Sequence, residues 1–487
     1  MVNTPNPAMQ WAFIILVSVM MGTCLLIAVA FFRRWQQVRY GRHVHALQRA
    51  YRPVIAKVLS GSPNRSGIEA LRELPVADLE LLLDPLFSKR KLTERCQVFL
   101  RALCAELGLI ERWQSRVANG DSAALKFSRK GTWGDFPDPA KMRYLLRAKS
   151  IRNLGTLRHR PSWRLLVNAL DDRHPDIQSV ALRSLAAIGA PESFVALQER
   201  LHAVVQRKSP SPPVQVLQAT MVSFGVSCLP ALLHSLSHPD RQIRLCATEI
   251  LRTMVCREAA RQPDPTFNQE LLTSPIVELL LTGLSVDTSA EIRAGAAEVI
   301  VFLADPRATS ALHGLLGDQQ WLVRLRTVQA LAHSRQNVAP LHLDIRECLR
   351  DAHWQVREAA IETLISVGRE GKHQLYEHFL TSPDGATREQ IVEAIERKGL
   401  MSNLVEAYCA GTRGVEALMV EQLASEAAPL GLSGILRTLN PEVWQRFLDR
   451  FLPYVEAKMR FMEEARPDGE ETPSFQQALE FPLHLTA

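Results

Sequence analysis

The chain has 487 residues, 47% of them hydrophobic and 22% charged, which excludes a disordered protein and is too long for one simple core unless a repeat array lets it grow lengthwise. Its eight cysteines stand far apart, with no Cys-x-x-Cys pair and no histidine at zinc-ligand spacing, so a disulfide scaffold and a zinc ribbon are excluded and the thiols read as reduced core residues. The net charge of +6 hides a segregation: residues 1–88 carry +4 (9 basic, 5 acidic), residues 89–160 carry +11 (17 basic, 6 acidic) and residues 161–487 carry −9 (31 basic, 40 acidic).

Residues 1–10 are a short amino-terminal tail without Lys or Arg. Residues 11–32, WAFIILVSVMMGTCLLIAVAFF, contain no charge over 22 positions. At 1.5 Å per residue that run reaches about 33 Å, enough for a hydrocarbon layer of about 30 Å, and it predicts one transmembrane helix ahead of an all-α body. Trp11 and Trp35 fall where indole rings favour the two interfaces. A cleaved signal peptide is the alternative, because Ala28-Val29-Ala30 resembles a cleavage site; the uncharged tail and the length of the run count against it. Arg33, Arg34, Arg39, Arg42, Arg49 and Arg52 follow, and the first acidic residue is Glu69. Positive residues stay on the cytoplasmic side, so the pattern predicts a single-pass protein of a bacterial inner membrane, amino terminus out and body in the cytosol.

Residues 33–88 read as a basic juxtamembrane stretch with the first helices, and 89–160 as a basic helical region. Topology explains the first arginines, but a cluster beside a spanning helix is also attracted to anionic headgroups. Arg33, Arg34, Arg39, Arg42, Lys126, Arg129, Lys130, Arg143 and Arg147 are therefore candidate contacts for lipid phosphates or an acidic partner. Nucleic acid fits less well, since the remainder of the chain is acidic and no helix-turn-helix or zinc-finger signature is present.

Residues 161–400 repeat. The segments PDIQSVALRSLAAIG (175–189), DRQIRLCATEILRTM (240–254), SAEIRAGAAEVIVFL (289–303), QWLVRLRTVQALAHS (320–334) and HWQVREAAIETLISVG (353–368) align on Gln178, Arg244, Arg293, Arg324 and Arg357. From Arg293 the spacing is 31 and then 33 residues, with a looser copy at Arg388; this is the period of a helical hairpin. A small residue follows each anchor by three positions (Ala181, Ala247, Ala296, Thr327, Ala360), so the helices can approach closely. Asp287, Asp318 and Asp351 each precede an anchor arginine by six residues, which puts a carboxylate near the start of the second helix, where it can cap free N–H groups. Two interruptions, QRKSPSPPVQ (206–215) and RQPDPTFNQELLTSP (261–275), read as loops between hairpins.

The run from Ile292 to Ser334, with the corner Asp305-Pro306-Arg307-Ala308, resembles the short HEAT-like repeats also found in phycobilisome lyase proteins. The resemblance is specific over about 285–370, fair over 160–255 and faint elsewhere. It implies an α-solenoid that binds partners along its surface. The expectation is thus a membrane-anchored, cytosol-facing scaffold for protein partners, themselves membrane-associated, and by analogy an accessory of an envelope or exopolysaccharide assembly. The alternative implied by the same resemblance is a lyase or another helical-repeat enzyme acting on a protein or nucleic acid. Trp321 and Trp354 are the candidate partner-binding residues, weighed against a place in the repeat core.

Residues 401–464 continue helical. Trp444, Phe447, Leu448, Phe451, Leu452 and Val455 recur at three- and four-residue steps, which predicts an amphipathic helix closing the end of the array, with Asn440 as its cap. Residues 465–487 read as a flexible tail. No phosphate loop and no His-Glu-x-x-His motif occurs, His373 and His378 do not share a helix face, and Gly431-Leu432-Ser433-Gly434 falls one residue short of a nucleophile elbow. The sequence therefore predicts no catalytic residue, metal ligand or cofactor.

Overall fold

The computed structural model describes residues 7–59, 65–87, 93–119, 139–207, 212–261, 275–303, 305–333, 339–411, 413–425 and 440–464. Among these residues there are helices and turns and no strand, so the all-α expectation stands, and the architecture is compatible with a helical repeat. The chain divides into two compact units, residues 1–231 and 232–487.

Unit 1 begins with a single long helix, Pro7–Leu59, which carries Pro53 inside it. Among the described residues no helix is long and apolar enough to cross a membrane. This corrects the transmembrane helix expected over 11–32 and, with it, the inner-membrane placement with the amino terminus out and the body in the cytosol. The helix then continues unbroken past Arg34, Arg39 and Arg42 to Leu59.

The rest of unit 1 is built from shorter helices. Val76–Phe87, Glu94–Glu106 and Leu109–Asn119 bury Leu83, Leu100, Leu103, Leu109 and Trp113, whose ring meets Phe87 edge-on at 5.5 Å. Thr93 caps Glu94–Glu106 by accepting the Cys96 N–H. Pro139–Thr156 lies closely against Pro175–Ile188. Gly155 is the point of contact: a Cβ there would stand 2.7 Å from the Ser184 Cα, while the Ser184 hydroxyl donates to the Ile151 carbonyl at 3.0 Å.

Unit 2 alternates first helices with second helices. The second helices, Arg241–Ala259, Ala290–Ile300, Trp321–Leu331, Trp354–Val367 and Gly385–Arg397, each pack on the next. The first helices Pro275–Thr282, Pro306–Leu316, His342–Glu347 and Arg369–Thr381 form the other layer. Between the layers lie Ile243, Ala247, Leu251, Ile292, Ala296, Ile300, Val323, Thr327, Leu331, Val356, Ala360 and Leu364, all buried. Apart from the anchor itself, these are the aligned apolar, small and aliphatic positions of the repeat. The helical period thus places one stripe of each second helix inside.

The corner at Asp305 is built as its composition dictates: Asp305 caps Pro306–Leu316 by accepting the Arg307 N–H, and Pro306 occupies the first helical position, where its missing N–H costs nothing. Pro441–Glu464 follows the last pairs, with Asn440 accepting the Glu442 N–H at 3.1 Å. Phe447 and Phe451 are buried, and the Arg450 guanidinium lies over the Tyr408 ring at 4.5 Å. Of the loops expected over 206–215 and 261–275, residues 208–211 and 262–274 lie outside the described residues, as does the tail expected over 465–487, while 214 and 215 begin the helix Val214–Val222.

The Gly155 contact gives a direct test of unit 1 packing. Alanine normally favours a helix over glycine, but here its methyl must displace backbone. Gly155→Ala is expected to lower unfolding stability by about 1–3 kcal/mol in chemical denaturation, the range for an overpacked core.

The arginine ladder and a candidate partner-binding groove

Each anchor arginine of unit 2 makes two kinds of bond. Arg324 Nη1 donates to the carbonyls of Asp318 (2.7 Å) and Gln319 (3.2 Å), six and five residues back in its own repeat. Its Nε and Nη2 donate to both oxygens of Asp351, at 2.6 and 2.8 Å, in the next repeat. Arg293 does the same with Asp287 and Thr288 behind and Asp318 ahead (2.7 and 2.8 Å), and Arg244 with His238 and Pro239 behind and Asp287 ahead (2.8 and 3.2 Å). Arg357 holds the Asp351 and Ala352 carbonyls but meets Gln390 Oε1 at 2.8 Å, so the carboxylate rungs end there.

The aspartates are local devices as well. Asp287, Asp318 and Asp351 each accept the N–H two residues on, from Ser289, Gln320 and His353. They close the turn that leads into the helix, and the N–H they accept belongs to the cap residue, one step earlier than a cap bond within the helix. Burial pushes the carboxyls of Asp287, Asp318 and Asp351 up, but the arginine bonds, the backbone N–H and the adjacent positive charge outweigh it. All three titrate below the usual carboxylate range. Asp351 pairs at 6% side-chain exposure with Arg324 at 18%, where charge-assisted, bidentate bonds are stronger than a surface pair.

Unit 1 carries a reduced form of this device without the arginine fork, since the Arg147 Nε is buried with no hydrogen-bond partner. Gln178 Nε2 donates to the Asp172 carbonyl, six residues back, at 2.7 Å, and Arg147 is ion-paired to Asp172. Arg147, expected as a surface contact for lipid or an acidic partner, is therefore a rung; it lies 31 residues before Gln178, the repeat spacing itself.

Other basic residues of 89–160 also have partners within the unit. Arg116 bonds Glu80 at 2.6 Å, Lys149 and Arg152 share Asp84, and Arg101 donates to the Leu157 carbonyl. Lys126, Arg129 and Lys130 lie outside the described residues, as do the side chains of Arg33 and Arg143. Arg34, Arg39 and Arg42 are exposed, with Arg39 over the Trp35 ring at 5.5 Å.

Three residues before Arg147, Arg244 and Arg324, the chain forms an edge contact to the next repeat. Tyr144 meets the His174 ring at 5.0 Å, Arg241 donates to Ser289 Oγ at 3.1 Å, and Trp321 meets the His353 ring at 5.2 Å. Trp354 occupies the same place and is 54% exposed. Trp321 and Trp354 thus stand on the edge formed by the starts of the second helices and in neither the core nor the groove described next.

The groove runs across four second helices of unit 2, has a volume of about 880 Å³, and is lined by Arg252, Glu298, Arg326, Gln329, Glu358 and Glu362, among others. Alanines 259, 330 and 359 keep its floor low. Arg252 ties the wall together by bonding Glu249 at 2.5 Å and Glu298 at 2.8 Å. Farther along, Arg397 reaches Glu358 and Glu362. Five residues after successive anchors stand Glu249, Glu298, Gln329, Glu362 and Glu393, so helical stacking converts a sequence interval into a mostly acidic row. That interval is a legible signal, and the sequence expectations contained none of these positions.

Among the described residues no cluster of three metal-ligating side chains occurs. Cys104 and Cys348 are pushed up to about 12 by burial, which keeps them as thiols. His378 is buried, with both ring nitrogens unpartnered and its pKa pushed down by burial and by Arg350 and Arg346.

No family model matches the chain, and no curated protein matches it. Among solved structures, an engineered protein studied by crystallography is 16% identical, covering 85% of this chain and 99% of its own, at a TM-score of 0.30; that likeness is too low to carry an argument.

Two measurements probe the ladder. Arg324→Ala deletes four hydrogen bonds and strands the Asp351 carboxylate, so it is expected to cost about 3 kcal/mol, whereas Arg324→Lys keeps a charge without the fork and should fall between. Acid provides the second. Because the folded pKa values of Asp287, Asp318 and Asp351 lie below their unfolded ones, the stability they contribute is complete above the ordinary carboxylate range and is lost as pH falls through it and below. The urea midpoint should drop between about pH 5 and pH 3, and Asp318→Asn should show a smaller drop than the natural chain.

Proposed function

We propose that this chain is a HEAT-like repeat scaffold that binds a protein partner in the groove of unit 2. The observation that carries the reading is the groove itself, to which four consecutive second helices each contribute side chains from one face. A surface assembled by repetition suits an extended partner segment better than a compact substrate. Low alanines let a helix backbone approach, and the acidic row with its interspersed arginines favours a partner helix of mixed charge with a basic excess. The 31- and 33-residue anchor intervals and the arginine ladder support the HEAT-like assignment.

The test uses the full chain in its native cell. A photo-crosslinking residue at Gln329, exposed in the groove, is expected to yield discrete protein adducts, and the same residue at Gln319, on the helix-start edge, is expected to yield none of them. Glu362→Lys should reduce the Gln329 adducts by about tenfold, since a like charge opposite a basic partner is repulsive. Adducts that are equal at both positions, or indifferent to Glu362→Lys, would refute the groove as the binding surface.

A further inference from the structure

Unit 1 has a cavity of different chemistry. It opens between the Pro7–Leu59 and Val76–Phe87 helices, with a volume of about 740 Å³, the size of a small-molecule site. Ile55, Leu82, Pro85 and Leu86 line it with apolar surface, and His45, Arg49 and Arg52 stand along it. Positions 45, 49, 52 and 56 follow one another at three- and four-residue steps, so they occupy one stripe of the long helix.

Two guanidinium groups three residues apart on a helix repel one another, and a nearby carboxylate would relieve them. None precedes Glu69 in the sequence, and the carboxylates of the facing helix are engaged elsewhere. Asp78 is held by His43 at 3.0 Å, Glu80 by Trp113 Nε1 at 3.0 Å and Arg116 at 2.6 Å, and Asp84 by Lys149 at 3.1 Å and Arg152 at 2.9 Å. Among the described residues Arg49 and Arg52 consequently have no carboxylate partner. They are also exposed and so able to turn onto a ligand.

The geometry points to a binding site for one molecule of an anionic single-chain lipid, its phosphate held between Arg49 and Arg52 and its acyl chain laid on Ile55, Leu82 and Leu86. A guanidinium fork matches phosphate oxygens in pairs, and the trough removes the chain from water. An inorganic anion would leave the apolar floor wet, and a zwitterionic lipid would leave the excess positive charge unmatched. An acidic peptide would answer the arginines but brings polar backbone to an apolar floor.

The experiment titrates the full chain calorimetrically with monomeric oleoyl lysophosphatidate, and in parallel with oleoyl lysophosphatidylcholine, inorganic phosphate and a glutamate-rich peptide. Saturable one-to-one binding of the lysophosphatidate is expected, with the other three weaker by at least about tenfold. The R49Q/R52Q double variant should lose at least about tenfold in affinity at an unchanged thermal midpoint. Ala56→Trp, at an exposed position that lines the trough, should block the chain while both arginines remain. Equal binding of the phosphocholine lipid, of phosphate or of the peptide would overturn the assignment, and so would undiminished lysophosphatidate binding by either variant.

Discussion

The bidentate pair between one repeat's arginine and the next repeat's aspartate is the constraint on which unit 2 rests. A guanidinium at 15–18% side-chain exposure, as at Arg293, Arg244 and Arg324, is costly to desolvate unless a counter-charge and full hydrogen bonding answer it. The answer comes from both sides: two carbonyls from the turn behind and two carboxylate oxygens from the repeat ahead. One side chain therefore fixes the turn that starts its own helix and the register of the following one. The aspartate is equally double, since it closes the next turn while it receives the arginine. Where Gln390 replaces the carboxylate, Arg357 keeps the backward bonds and loses the charge pair.

Register, once set, decides what each helix offers to solvent. Positions three residues before Arg147, Arg244 and Arg324 meet the next repeat along an edge, through Tyr144 with His174, Arg241 with Ser289 and Trp321 with His353. Positions after the anchors line the groove, so Arg252, Glu298, Arg326 and Glu362 come together although they span more than a hundred residues of chain. Neither surface needs a special loop; both follow from a helical stripe repeated from one second helix to the next.

Charge in unit 1 illustrates how far composition and availability differ. Residues 89–160 hold a large basic excess, yet Arg101, Arg116, Arg147, Lys149 and Arg152 bond carboxylates or carbonyls of the same unit. The unneutralised positive charge that faces a cavity comes instead from the long first helix, at Arg49 and Arg52. The count of charges could not separate the two, because pairing joins residues 25 to 68 positions apart.

The sequence by itself determined the all-helical class, the repeat period, the anchors and the aspartates six residues before them, because each of these is a local interval on a helix or turn. It also contained Arg147 at the repeat spacing, hidden by its basic surroundings, and the glutamate row five residues after the anchors. Hydropathy suggested a spanning helix at 11–32, and no described helix is long and apolar enough for one. Tertiary structure alone decided that Arg324 answers the carboxylate of Asp351 and not that of its own Asp318, that Trp354 stands exposed on an edge, and that a groove and a cavity exist at all. Those are relations between helices, set by stacking and by the neutralisation of buried charge, and no interval within a single helix encodes them.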